Sequence, residues 1–134
     1  MRERELRSVP LFASLPKKDL GKLARFTDQV DVPEGKALAR QGEFAYEFFA
    51  IREGSAEVVK DGQKVADLGP GDFFGEIGLL ETERRTATVV ATSAMSLVVM
   101  AGWDFRGLES DMPDLARQVR EVIRQRMDES PTDP

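Results

Sequence analysis

The residues best suited to chemistry lie between Phe73 and Thr88. They read Phe73-Phe74-Gly75-Glu76-Ile77-Gly78-Leu79-Leu80, then Glu81-Thr82-Glu83-Arg84-Arg85-Thr86-Ala87-Thr88. Two aromatics end a strand, and Gly75 lets the backbone turn tightly or approach a ligand. Ile77, Leu79 and Leu80 suit a short helical turn, whose first amides have no intrahelical partner and attract anions. Arg85 follows Glu76 by nine positions, at the start of the next strand, so both side chains can face one pocket. Arginine presents a planar fork that matches phosphate oxygens. A carboxylate accepts hydrogen bonds from hydroxyls and repels phosphate, so Glu76 suits a sugar. A phosphate-reading arginine, a sugar-reading acid and the amides between them fit a small nucleotide of low charge. A triphosphate fits poorly, because the chain has no Gly-rich loop ending in Lys-Ser/Thr and no evident magnesium site.

Composition removes the competing chemistries. The chain has neither cysteine nor histidine. Disulfides, thiol nucleophiles, iron–sulfur clusters, His-based catalysis, His-ligated haem and His-based metal cages are all excluded. A net charge of −5 opposes wrapping a phosphate backbone, so no direct nucleic-acid binding is expected. The lack of cysteine fits a reducing cytoplasm, which is the expected location. Met1–Arg7 alternates charges of both signs and leads into no apolar run, so a signal peptide is not expected. From Thr86 to Trp103 no residue is charged, a length that approaches a membrane span. Its threonines, serines and β-branched residues instead predict two strands, Thr86–Ala91 and Ser96–Ala101, joined by a turn at Thr92–Ala94. No membrane span is expected.

The elements that must position the segment follow from texture. Leu20, Leu23, Ala24 and Phe26 recur at helical spacing, with Ser14 or Leu15 near the helix start and Pro16 in its first turn. From Val30 short apolar segments alternate with glycines, and Asp61-Gly62 between two such segments is a hairpin signal. This pattern predicts a compact sandwich or barrel of the jelly-roll kind, with Phe73 and Phe74 in its core. After Gly102, Trp103, Phe105 and Leu108 suggest a short helix. Ser110-Asp111 before Pro113 reads as a cap for a longer one, with Leu115, Val119, Val122 and Ile123 on one face. That stripe is read as packing on its own domain.

On these residues the sequence resembles the cyclic-nucleotide-binding domain family of kinase regulatory subunits, cyclic-nucleotide-gated channels and catabolite-activator-type regulators. The family's phosphate-binding cassette has Phe-Gly-Glu, small and apolar residues, a short variable loop, then Arg-(Ala/Ser/Thr)-Ala. Here these are Phe74-Gly75-Glu76, Ile77-Gly78-Leu79-Leu80 and Arg85-Thr86-Ala87. Gly35, Gly42, Gly54 and Gly71 match as well, and the resemblance covers roughly residues 11 to 127. One departure is Arg84, where many members have proline; it is expected to alter loop stiffness more than ligand contact and to face solvent.

The resemblance implies a mainly β fold with flanking helices: a double-stranded β-helix (jelly-roll) barrel with an N-terminal helix and C-terminal lid helices. The chain, 1–134, is then one cyclic-nucleotide-binding domain. It divides into a helical segment 1–28, a β-roll 29–102 with the cassette at 73–88, hinge and lid helices 103–129 and a tail 130–134. The implied ligand residues are Gly75, Glu76, Ile77, Gly78, Arg85, Thr86 and Ala87. Arg85 pairs with the phosphate, Glu76 and the Gly75 backbone hold the ribose 2′-hydroxyl, and amides around Ile77–Gly78 and Thr86 complete the contacts. Leu79 and Leu108 form a hinge. Ile123, Arg124 and Met127 are the unranked candidates for covering the base. The Thr86 hydroxyl reaches a syn purine, which accommodates cGMP in some members, yet cAMP binders also carry Thr or Ser there. A sensor of cAMP in preference to cGMP is expected, with no metal and no cofactor beyond that ligand. It is not expected to be an enzyme. Output passes to an effector protein or fused effector domain, with a homodimer as one option. The alternative is the same β-roll without a nucleotide, serving as an interaction or dimerisation scaffold. A cupin-like enzyme is disfavoured, because such sites rely on histidine.

Overall fold

The structure is a computed structural model and describes residues 3–44, 46–75 and 84–129. Helix α1 (Glu3–Arg7), a 3-10 turn at Pro10–Phe12, α2 (Lys17–Leu23) and a second turn at Ala24–Phe26 come first. The strands are β1 (Asp28–Val32), β2 (Ala37–Ala39), β3 (Glu47–Glu53), β4 (Ala56–Lys60), β5 (Gln63–Leu68), β6 (Phe73–Phe74), β7 (Thr88–Ala91) and β8 (Met95–Ala101). Helices α3 (Gly102–Asp111) and α4 (Pro113–Glu129) follow. Among the described residues the strands make two four-stranded antiparallel sheets, ordered β1-β8-β3-β6 and β2-β7-β4-β5. The fold is a jelly-roll β-roll with its helices packed on the first sheet.

Strand β8 explains the long uncharged run, for every residue from Met95 to Ala101 is buried. Met95, Leu97 and Val99 point between the sheets, where they meet Phe49, Ile51, Val58, Phe74 and Val89. Val98 and Met100 point the other way, into a second cluster with Phe12, Leu20, Leu23, Phe105, Leu108 and Ile123. A strand covered on both faces reads as a continuous apolar segment. Neighbouring β3 repeats the alternation, with Phe49 and Ile51 facing the barrel and Phe48 and Ala50 facing the helices. Among the described residues no helix is long and apolar enough to cross a membrane.

The hairpin signal at Asp61-Gly62 joins β4 to β5. Both residues have positive φ, 52° and 78°, the pair of left-handed conformations whose twist matches that of flanking strands. Gln41 pins this turn from outside: its Nε2 donates to Asp61 Oδ1 at 2.8 Å, and the Asp61 amide donates to Gln41 Oε1 at 3.0 Å.

Several boundaries differ from the sequence expectation. Strand β7 starts at Thr88, because the preceding backbone is engaged elsewhere: the Arg85 amide donates to Glu43 O and the Gly42 amide to Arg85 O. Helix α2 starts at Lys17, with Pro16 outside it in an extended conformation. Ser110-Asp111 does not cap the last helix but lies within α3. Met112 instead serves both helices, its amide donating to Leu108 O at 2.7 Å and its carbonyl accepting from Ala116 at 3.0 Å. Pro113 disfavours helical geometry at the residue before it, and Met112 sits at φ −141°, ψ 69°. Phe73 packs with the helical layer rather than in the barrel core, since consecutive strand residues face opposite ways.

Candidate ligand-binding site

Two aromatic pairs anchor the start of the site. In β6, Phe74 is registered with Phe49 and Phe73 with Ala50 of β3. The Phe74 and Phe49 rings stack with centroids 4.8 Å apart inside the barrel. On the opposite face Phe73 meets Phe48 at 5.6 Å. Gripped on both faces, β6 delivers Gly75 beside Glu47, the first residue of β3. Gly75 adopts φ +80°. A Cβ there would strike the Arg85 guanidinium and come within 2.6 Å of the Glu47 carbonyl oxygen, so the position requires glycine on two counts.

Arg85 is 8% exposed, a depth unusual for a charged side chain. Its Nη2 donates to Glu47 O at 2.7 Å, and its guanidinium carbon lies 6.0 Å from the Phe49 ring centroid. The main chain is held by the loop before β3, with Arg85 N to Glu43 O at 2.7 Å and Gly42 N to Arg85 O at 2.9 Å. A guanidinium does not shed its proton on burial. The arrangement therefore fixes a permanent positive charge beside a glycine backbone at the barrel wall, the means to hold an anion.

Of the residues singled out from sequence, Gly75 and Arg85 are brought together. Thr86 is exposed, and Ala87 is buried between the sheets with Val89 and Leu97. Glu76, Ile77, Gly78 and Leu79 lie outside the described residues. Leu108 is fully buried, on the helical side of the sheet. Ile123 is buried in the same cluster and Arg124 is exposed. Arg84 is exposed as expected but not simply solvated: its Nη1 donates to Gly42 O at 2.7 Å and its guanidinium lies 4.3 Å from the Phe44 ring centroid. Sequence reasoning missed the Glu47 carbonyl, since a backbone acceptor leaves no trace in residue type. It also missed Phe44, whose apolar type in the polar run Gln41-Gly42-Glu43 was a usable signal.

Comparison with known proteins places this geometry in context. A family model described as "Cyclic nucleotide-binding domain" matches residues 29–111. The chain is 35% identical over 119 residues to a cyclic nucleotide-gated potassium channel of Rhizobium etli, covering 89% of this chain and 33% of the channel. It is 36% identical over 113 residues to the cAMP-dependent protein kinase regulatory subunit of Schizosaccharomyces pombe, covering 84% of this chain and 27% of that protein. The chain thus spans about a third or less of these curated relatives. Among solved structures, the regulatory domain of Toxoplasma gondii PKA crystallised with cAMP is similar at a TM-score of 0.74 and 25% identity, covering 93% of this chain and 49% of that one.

Proposed function

The chain belongs to the cyclic nucleotide-binding domain family, and from that premise we propose that it is a ligand-sensing regulatory module for cyclic nucleotides, cAMP in preference to cGMP. The observation that carries the reading is the buried Arg85 guanidinium against the Gly75 backbone. Arg85 pairs with the exocyclic oxygens of the cyclic phosphate. Glu76 and the Gly75 backbone hold the ribose 2′-hydroxyl, and amides at Ile77, Gly78 and Thr86 with Ala87 complete the pocket. The module senses and does not catalyse. Its output comes from a partner or from the rest of a longer polypeptide, as in the kinase subunit and channel relatives.

Binding is coupled to the helices through the hinge residues Leu79 and Leu108, and α4 closes over the base. A ligand drives that movement only through its preference for the closed arrangement. A thermal-shift series with cAMP, cGMP and AMP tests the reading. A cyclic nucleotide at a hundred times its dissociation constant should add about 2.7 kcal/mol of stability, and AMP far less. No shift with either cyclic nucleotide would favour the scaffold reading instead.

A further inference from the structure

We propose that Phe44 and Arg84 form a clamp that positions Arg85, so that both residues set ligand affinity without touching the ligand; this rests on the cyclic-nucleotide reading above. Phe44 and Arg84 make an antiparallel bridge. The adjoining bond runs from Arg85 N to Glu43 O at 2.7 Å, which makes Phe44 and Arg84 a non-hydrogen-bonded pair. In such a pair the side chains approach most closely. Arg84 uses that proximity twice. Its guanidinium lies 4.3 Å from the Phe44 ring centroid, and its Nη1 donates to Gly42 O at 2.7 Å.

The consequence falls on the next residue. Gly42 donates its amide to Arg85 O while its own carbonyl is held by Arg84, and Glu43 accepts from Arg85 N. The backbone of Arg85 is thereby locked to residues 42–44, with the Arg84 side chain closing the lock from outside. Consecutive side chains in extended chain point to opposite faces. Arg85 accordingly turns inward to 8% exposure while Arg84 stays exposed. Arg84 therefore acts through the backbone and not in the pocket. Fixing the Arg85 backbone sets the point from which its guanidinium enters the barrel wall, so the donors are already placed before a ligand arrives. Phe44, 48% exposed, then has a role that explains an aromatic at the surface: it is the platform on which Arg84 lies.

The test is a double-mutant cycle read by calorimetric affinity for cAMP and cGMP, with melting temperature followed in parallel. Phe44→Ala removes no charge, yet it should weaken binding about as much as Arg84→Ala, each by roughly tenfold. The double variant should be no weaker than either single one. Phe44→Trp, which keeps a platform, should retain wild-type affinity, and melting temperatures should stay within a few degrees. If Arg84 attracts the ligand directly, only Arg84→Ala will weaken binding and Phe44→Ala will be silent. That result overturns the clamp, as do losses that add in the double variant or that track loss of folding. Wild-type binding with both single variants unaffected removes the clamp alone. A wild-type chain that binds neither nucleotide removes the function reading, and the clamp with it.

Discussion

A buried guanidinium must be solvated by the protein itself, and the Glu47 carbonyl at 2.7 Å supplies part of that solvation to Arg85. A cyclic phosphate brings a full negative charge, which a carbonyl lacks, in a shape that accepts a two-pronged donor. Arg85→Leu should therefore weaken cyclic-nucleotide binding by roughly a hundredfold or more, and Arg85→Lys should recover little, because an ammonium lacks the fork. Gly75→Ala forces a side chain into a φ of +80° and against the same guanidinium. Chemical denaturation should register a loss of about 1–3 kcal/mol, with ligand affinity falling alongside. The chain contains no histidine, and a phosphodiester and a guanidinium both keep their charge near neutrality. Affinity should thus be flat between about pH 6 and pH 7, and calorimetry in matched buffers checks this. Residue types exposed Arg85 and Gly75 in the sequence because their chemistry is specific to them. The contacts of Arg84 were not legible, since Phe44 and Gly42 lie far away along the chain and only the fold brings them near.

The helices earn their positions by packing. On α4, Leu115, Ala116, Val119 and Ile123 are buried in the cluster that also holds Phe12 and Phe105. Arg120 adds a polar tie, bonding Glu109 of α3 while its guanidinium lies 5.4 Å from the Phe105 ring centroid. Ile123→Ala should cost about 2–4 kcal/mol in urea denaturation, as expected for a fully buried aliphatic side chain. A cost below about 1 kcal/mol would mean that α4 is not held as described. The apolar stripe of this helix was readable at helical spacing. Pro113 marked its first turn correctly, but its cap was not readable, because Ser110 and Asp111 offer good capping chemistry that the continuation of α3 to Asp111 overrides. The strand run after Thr86 was readable from its β-branched residues. Its first residue was not, because the loop at Gly42 and Glu43 takes the Arg85 backbone before the sheet does.

At the scale of the whole molecule, the sheet β1-β8-β3-β6 lies between the two hydrophobic clusters. Phe73 and Phe74 are adjacent in sequence yet pack in different clusters, and Gly75 follows them directly. A shift of β6 on ligand binding would thus be felt on both sides of the sheet, a physical route for the proposed coupling. Trp103, the sole tryptophan, stands 62% exposed in the first turn of α3. Its emission should change saturably on adding cyclic nucleotide, and not in Arg85→Leu; a binding signal with constant emission would indicate that α3 stays in place. Under the proposed function, Arg85 makes this β-roll a cyclic-nucleotide site. Calorimetric titration of cAMP, cGMP and AMP into the wild-type chain and into Arg85→Leu tests it most directly. The expected result is saturable binding of a cyclic nucleotide to the wild type, with AMP much weaker, and loss of that binding in the variant. Equal affinity in the two proteins, or no binding to the wild type, would contradict it.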